Sequence, residues 1–280
     1  MNRPSLHRRA GTPLSLIATV GVAAALLATS VAPASAGKGS SPHTRKPTVV
    51  LVHGAFADST SWNDVVKKLK RDGYPVVAAA NPLRGLSSDA AYLKELLASI
   101  DGPVVLAGHS YGGAVISNAA HGADNVKALV YIAAFIPEKG ESASELAGKF
   151  PGSTLGEALR PVPITLPDGS QGADLYIQQD KFHHQFAADV PESTAGIMAV
   201  TQRPVTSAAL EESAGEPAWK AIPSWVLVAT EDLNIPPKAQ TFMAKRAQAQ
   251  TVEVRASHAV SVSRPHDVAQ IIQEAARTVR

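Results

Sequence analysis

Residues 103–113 read Pro-Val-Val-Leu-Ala-Gly-His-Ser-Tyr-Gly-Gly, and this stretch decides the fold. Gly108 to Gly112 form the pattern G-x-S-x-G, in which a strand turns sharply into a helix and exposes a serine hydroxyl. The apolar residues before Gly108 fit a buried strand, and the small residues from Gly113 onward fit the start of a helix. The two outer glycines fit because so sharp a turn leaves no room for side chains beside the backbone. Ser110 is therefore the candidate nucleophile.

Apolar strands alternate with helices on both sides of this stretch. The sequence predicts strands over 48–52, 76–80, 103–107, 126–134, 224–230 and 251–254. It predicts helices over 61–71, 87–100, 237–247 and 265–280, with Ser87 or Ser88 as the cap of the second. Strand–helix alternation with continuously apolar strands indicates an α/β fold, built on a mostly parallel, doubly wound sheet.

The interval of about 138–222 breaks this alternation and is too long for an ordinary connection. It holds prolines at 151, 161, 163, 167, 191, 204 and 217, and its pattern indicates only short helical stretches. A disordered insertion is the alternative, but apolar residues such as Phe150, Tyr176, Phe182 and Phe186 favour packing. We therefore predict a folded lid, inserted over the carboxyl edge of the sheet.

A serine hydroxyl becomes a good nucleophile only beside a base, which an acid in turn orients. Glu231 and Asp232 follow the apolar run 225–228, so either carboxylate would emerge at the carboxyl edge of the sheet. His258 follows the last predicted strand and precedes the final helix. These positions make His258 the candidate base and leave two candidates for the acid.

The other histidines have structural explanations. His183 and His184 are neighbours on a predicted helix, so their side chains point about 100° apart and cannot easily share one metal ion. His53 is expected to stabilise a turn, His109 to pack beneath the serine, and His266 to lie on the surface. The sequence therefore predicts neither a metal site nor an organic cofactor.

Four motifs in this order resemble those of the alpha/beta hydrolases. They are HGAF at 53–56, GHSYGG at 108–113, EDLNIPP at 231–237 and SHAV at 257–260. Within that fold the chain is similar to small bacterial esterases, including pyrethroid-esterase-like proteins, and to the plant methylesterase and hydroxynitrile lyase group. The resemblance covers the chain from about residue 48 onward, so residues 48–280 are assigned to the hydrolase domain.

The resemblance implies specific roles for site residues. It gives the order serine, acid, histidine, and it favours Asp232 over Glu231 because D-x-x-I-P is common there in this fold. It also implies that the backbone N–H groups of Ala55 and Tyr111 form the oxyanion hole.

Two positions depart from the lyases of the plant group. Those lyases carry Thr after the first-strand histidine and Lys directly after the catalytic histidine, where this chain has Gly54 and Ala259. This departure favours hydrolysis over cyanohydrin cleavage.

The N-terminus has a different composition from the rest of the chain. Three arginines precede an apolar, alanine-rich run, and Ala34-Ser35-Ala36 offers a cleavage site, so 1–36 is predicted to be a secretory signal peptide and 37–47 a linker. An uncleaved membrane anchor is the alternative, and Arg8-Arg9 leaves Sec or twin-arginine export open. Removing 1–36 takes away three arginines and no acids, which leaves 23 basic against 24 acidic residues and a net charge of −1.

This charge balance does not indicate binding to nucleic acid or to an anionic membrane surface. The absence of cysteine excludes disulfides and a lipid anchor on cysteine. The sequence thus predicts a secreted serine hydrolase that acts on a small carboxylic ester or lactone, without stable membrane association once the signal peptide is cleaved. A cofactor-free perhydrolase or haloperoxidase on the same residues, and a non-catalytic binding protein on this scaffold, are the alternatives. Neither the specific substrate nor the oligomeric state can be predicted from the sequence.

Overall fold

Two sheets organise the computed structural model, which describes residues 46–166 and 169–279. The strands are β1 (Thr48–Val52), β2 (Val76–Ala79), β3 (Val104–His109), β4 (Val126–Ile132), β5 (Leu159–Thr165), β6 (Gln171–Ile177), β7 (Val205–Thr206), β8 (Ser224–Ala229) and β9 (Gln250–Val254). The larger sheet has the order β2-β1-β3-β4-β8-β9, and all its neighbouring strands are parallel. All the carboxyl ends of its strands therefore meet at one edge.

Helices cover both faces of the larger sheet. In chain order, the α-helices of the described residues are α1 (Asn63–Arg71), α2 (Leu86–Ala98), α3 (Tyr111–Ala119), α4 (Ala143–Gly148), α5 (Leu155–Ala158), α6 (Gln179–Phe186), α7 (Glu192–Thr201), α8 (Ser207–Glu211), α9 (Pro237–Arg246), α10 (Val260–Ser263) and α11 (Pro265–Thr278). Because side chains alternate along a strand, Val49 and Leu51 pack with α1 and α11, whereas Val50 and Val52 pack with α2, α3 and α9. This is the doubly wound arrangement that the sequence predicts.

The strands of the larger sheet and the helices that flank it begin and end within about two residues of the predicted positions, with local corrections. The prediction that Ser87 or Ser88 caps α2 was wrong, because the N-cap residue is Gly85, which has no side chain to cap the helix. The Ser88 hydroxyl instead donates a hydrogen bond to the Gly85 carbonyl at 3.0 Å. The helix predicted from residue 61 begins with a short 3-10 turn over Ser59–Trp62, so α1 starts only at Asn63. That turn is capped by Asp58, whose carboxylate accepts from the Thr60 N–H at 2.8 Å.

The segment 138–222, hereafter the insert, holds α4 to α8 together with the smaller, antiparallel sheet β5-β6-β7. The expectation of only short helical stretches was therefore wrong. The sequence did not indicate these strands because proline disfavours a strand. Pro161 and Pro163 nevertheless lie in β5, which is an edge strand of this sheet. An edge strand tolerates proline because half of its backbone N–H groups have no neighbouring strand to bond.

The two ends of the insert are tied to one place. The Trp219 indole N–H donates to the Pro137 carbonyl at 2.9 Å. Close by, Arg246 of α9 binds both carboxylate oxygens of Glu141 at 2.7 and 2.8 Å, and also donates to the Ile136 carbonyl. The insert therefore leaves the sheet after β4 and returns to it before β8 at neighbouring points. We call the Trp219–Pro137 hydrogen bond and the Arg246 contacts beside it the clasp.

The predicted signal peptide and most of the predicted linker lie outside the described residues. None of the helices in the described part of the chain has both the length and the apolar character needed to cross a lipid bilayer.

Candidate active site

Ser110 lies in the sharp turn between β3 and α3, with φ 55° and ψ −125°. A positive φ is strained for a residue with a side chain, and such strain is typical of functional sites. The turn fits only because Gly112 packs against β1: a Cβ atom there would lie 2.6 Å from the Val52 carbonyl oxygen. The glycine pattern therefore sets how closely α3 approaches the sheet beneath the serine.

We expect Gly112→Ala to lower the free energy of unfolding by about 1–3 kcal/mol, because the new methyl group meets rigid backbone. Gly196→Ala is the matched control, since Gly196 lies in α7 with no atom within 4 Å of an added Cβ. Alanine there should stabilise the protein by about 0.5–1 kcal/mol through helix propensity. Urea unfolding of both variants checks this, and an equal effect at the two sites would contradict the packing argument.

His258 lies in the loop between β9 and α10, and its imidazole bridges two predicted site residues. Its Nε2 is 2.8 Å from the Ser110 Oγ, and its Nδ1 is 2.7 Å from the Asp232 Oδ2. All three side chains are buried, with at most 6% of any residue exposed. Because a carboxylate only accepts, Nδ1 carries the proton and Nε2 is left to accept from the serine hydroxyl.

Asp232 follows β8 and is held by more than the histidine. Its Oδ1 accepts from the backbone N–H groups of Asn234 and Ile235 at 2.7 and 3.0 Å, and its Oδ2 also accepts from Gln240 Nε2 at 2.9 Å. Glu231 points elsewhere: it pairs with the exposed Arg255 at 2.6 Å. The structure therefore brings Asp232, and not Glu231, to the histidine.

The predicted oxyanion residues Ala55 and Tyr111 line the same cavity as Ser110. Tyr111 is the first residue of α3, where a backbone N–H has no partner within its own helix. Its hydroxyl donates to the buried Asp89 at 2.9 Å, and burial raises the pKa of that carboxyl. The neighbouring Phe56 N–H is already used, since it donates to the Arg203 carbonyl. The assignment of the Ala55 and Tyr111 amides to the oxyanion hole stays a prediction.

Two buried histidines support the site from below. His53 donates from Nδ1 to the Gly54 carbonyl and accepts at Nε2 from the Asn81 N–H, both at 3.0 Å. His109 donates from Nε2 to the His258 carbonyl at 2.8 Å, and its ring lies 4.7 Å from the His258 ring. Both therefore have the structural positions that the sequence predicts, and neither contacts Ser110 Oγ.

Burial lowers the pKa of both His53 and His109 below the ordinary value of 6.5. The unfolded chain takes up these protons near that value and the folded chain does not, so stability is lost as the pH falls below about 6.5. Each imidazole contributes a slope of up to about 1.4 kcal/mol per pH unit. We expect His109→Gln to reduce this slope in urea unfolding between pH 7 and 5, whereas the exposed His266→Gln should leave it unchanged. Equal slopes for wild type and His109→Gln would contradict the assignment.

His183 and His184 have different surroundings. His183 Nε2 donates to the Val190 carbonyl at 2.8 Å, while His184 is exposed. Within the described residues no group of three or more histidine, aspartate or glutamate side chains is placed to hold a metal ion.

A cavity of about 210 Å³ opens over Ser110. The core contributes Ala55, Phe56, Tyr111, Phe135, Asn234, Ile235 and His258, and the insert contributes Ala143, Ser144, Ala147, Ser153, Leu155, Gly156, Leu159 and Leu210. Among the described residues that line it, none is Lys, Arg, Asp or Glu. The site therefore suits a small, uncharged and largely apolar molecule.

Similarity to a known family covers most of the chain. Residues 49–271 match the model of the alpha/beta hydrolase family. The chain belongs to this family. Its similarity extends to the alpha/beta hydrolase nvfD of Aspergillus novofumigatus, with 28% identity over 82% of this chain and 97% of that protein.

This alpha/beta hydrolase is also similar to the groups that its motifs indicate. Methylesterase 2 of Arabidopsis thaliana is 25% identical over 72% of this chain and 85% of its own length. The pyrethroid hydrolase of Sphingobium wenxiniae is 26% identical over 81% of this chain and 86% of its own length. These matches confirm the resemblance to pyrethroid hydrolases and plant methylesterases.

Among solved structures, the hydrolase fold superposes on polyneuridine aldehyde esterase with a TM-score of 0.72. The match has 18% identity and covers 82% of this chain and 98% of that one. At this identity the likeness confirms the fold.

Sequence reasoning missed one polar side chain that holds the site together. Gln240 of α9 is fully buried, and its amide donates to Asp232 at 2.9 Å and to the Ile235 carbonyl at 2.8 Å. The only signal in the sequence is a glutamine among apolar residues on the inner face of a helix. That pattern alone does not point to a carboxylate eight residues earlier.

Proposed function

We propose that this chain is a serine hydrolase that cleaves a carboxylic ester or lactone of a small, uncharged molecule through an acyl-enzyme. The observation that carries the proposal is the buried line from Ser110 Oγ through His258 to Asp232, with distances of 2.8 and 2.7 Å. The proposal is also supported by the similarity of this chain to relatives that are named methylesterase and pyrethroid hydrolase.

In the proposed mechanism Ser110 Oγ attacks the ester carbonyl while His258 Nε2 takes the serine proton. Asp232 holds the imidazole in the required tautomer and stabilises the imidazolium that forms. The backbone N–H groups of Ala55 and Tyr111 stabilise the oxyanion. His258 then protonates the leaving alcohol, and water attacks the acyl-enzyme with His258 again as base.

Burial supports this mechanism. Asp232 accepts four hydrogen bonds in all and is only 2% exposed, so hydrogen-bond donors of the protein surround its carboxylate in place of water. An ionised carboxylate in a dry site stabilises a neighbouring imidazolium far more strongly than one in water. The chain's own residues thus provide a nucleophile, a base and an orienting acid.

The test is active-site titration with a fluorophosphonate, followed by an ester and lactone panel. Wild type should be labelled at one serine per chain and Ser110→Ala not at all. Ser144→Ala is the matched control, because Ser144 also lines the cavity and its loss should leave labelling intact. A folded wild type that resists labelling would contradict the proposal and favour the non-catalytic binding protein.

Labelling together with peroxide- and acetate-dependent bromination that outpaces ester hydrolysis would instead favour the perhydrolase. The two enzymes differ only in whether water or peroxide intercepts the acyl-enzyme.

We propose in addition that the hydrolase is secreted after cleavage behind Ala36. The support is the order of arginines, apolar run and small residues over 1–36. Mass spectrometry of the exported protein should find Gly37 at its N-terminus, and an intact Met1 would contradict cleavage.

A further inference from the structure

Tyr111 directly follows the proposed nucleophile, and its side chain is anchored at the far end. The residue is only 1% exposed, and its ring packs in the apolar core that α2 and α3 share. Its hydroxyl donates to Asp89 Oδ2 of α2 at 2.9 Å. Because a tyrosine side chain has only two free torsions, this bond connects the first residue of α3 to α2 through a nearly rigid link.

The peptide group between Ser110 and Tyr111 is held on its carbonyl side as well. The Ser110 carbonyl accepts from the Gly113 N–H at 2.9 Å and from the Phe135 N–H at 3.2 Å. A trans peptide is planar, so the Tyr111 N–H lies in the same plane and points the opposite way. The two carbonyl bonds fix one end of this plane, and the position of the Tyr111 Cα fixes the other.

Asp89 is a fixed acceptor for the tyrosine hydroxyl. The residue is fully buried in the first turn of α2, and its Oδ1 accepts from the Arg84 N–H at 3.1 Å. Burial raises the pKa of the Tyr111 hydroxyl above its ordinary value of 10, so this group keeps its proton and remains a donor at neutral pH. The bond between the two side chains therefore persists under the conditions of ester hydrolysis.

The backbone N–H of Tyr111 is the group whose direction this link controls. Neither it nor the Ala55 N–H donates to a carbonyl of another described residue. The proposed function assigns both N–H groups to the oxyanion. Such donors act only when they are held within about 0.5 Å of the productive geometry. Whatever fixes Tyr111 therefore bears on the rate of the chemical step.

We propose that Asp89 is a positioning residue for ester hydrolysis, which holds the Tyr111 hydroxyl and thereby aims the Tyr111 N–H at the oxyanion of the transition state. The inference rests on the proposed function and adds to it a residue of α2 that is absent from the cavity wall. Because the oxyanion forms only during the reaction, loss of the link should lower kcat and leave binding of the ester itself almost unchanged.

The test compares Tyr111→Phe with Tyr131→Phe. Tyr131 is the matched control, because it is also fully buried and its hydroxyl bonds Ser117 Oγ at 2.9 Å, farther along α3. Each variant loses one buried hydroxyl, so both should unfold at a lower urea concentration than wild type. Only Tyr111→Phe should lower kcat, by about 10- to 30-fold, with KM within about twofold of wild type.

A trifluoromethyl ketone provides a second readout, because its adduct with the serine places an oxyanion where the transition state does. Its inhibition constant should rise in Tyr111→Phe by about the factor by which kcat/KM falls, and should stay unchanged in Tyr131→Phe. The double variant Tyr111→Phe/Asp89→Leu leaves no buried carboxylate without its hydroxyl donor, and it serves if the single variant does not fold. It should show the same loss of kcat.

A kcat for Tyr111→Phe within about twofold of wild type would overturn the inference, since packing of the ring alone would then hold the peptide. An equal loss of kcat in Tyr131→Phe, or a kcat restored in the double variant, would overturn it as well, because the loss would then follow stability. These results leave ester hydrolysis in place, whereas a wild type without fluorophosphonate labelling overturns the proposed function and this inference together.

Discussion

Replacing Ser110 with alanine is expected to lower kcat by about 10⁴- to 10⁶-fold on any ester that the wild type hydrolyses. The variant keeps the cavity and the His258–Asp232 pair, but has no atom that can form the acyl-enzyme. Alanine at φ 55° is also strained, so thermal unfolding must first show that the variant is folded. Steady-state kinetics with the best ester of the panel then measure the loss.

Ser144→Ala is again the appropriate control. It removes a hydroxyl from the same cavity wall and should change kcat by less than about threefold, as expected for a residue outside the reacting groups. If Ser110→Ala kept more than about a hundredth of the wild-type rate, a covalent serine mechanism would be excluded.

The second large effect is expected at Asp232. Asp232→Asn should lower kcat by about 10⁴-fold, because an amide nitrogen facing His258 Nδ1 favours the tautomer that cannot accept the serine proton. The KM should change little, since Asp232 is absent from the cavity wall. The variant also places an amide N–H against the Gln240 N–H, so it should lose stability as well as activity.

Glu231→Gln is the matched control, because it alters the adjacent carboxylate in the same loop. Glu231 is exposed and paired with Arg255, and such surface pairs contribute little, about 0–1 kcal/mol. Its loss should leave kcat within about twofold of wild type. Comparable losses of kcat in the two variants would mean that the contact between Asp232 and His258 does not identify Asp232 as the catalytic acid.

The larger sheet could be predicted because its signals are local. Each central strand is a mainly apolar run, and the strained turn at Ser110 is marked by glycines whose absent side chains make room for backbone. The three site residues follow strand ends in the sequence, and a parallel sheet brings such ends to one edge. Local pattern and global topology therefore point to the same place.

The insert could not be predicted in the same way. Its strand β5 contains Pro161 and Pro163, which disfavour a strand unless that strand is known to be an edge, and this is a property of the fold. The partners of Asp232 and Tyr111 were hidden for a related reason. Gln240 and Asp89 make their contacts only after folding, and a buried polar side chain carries no pattern that names its partner.

The clasp at Trp219 and Pro137 bears on how this protein can change its substrate. A segment whose two ends meet is, in genetic terms, a cassette: it can be exchanged as one contiguous stretch of coding sequence. Ser110 is encoded before that stretch, and Asp232 and His258 after it, whereas about half of the cavity wall lies within it. Evolution, or a protein engineer, can thus replace about half of the cavity wall by recombination at two points that lie close together in the structure. Ser110, Asp232 and His258 would stay unchanged.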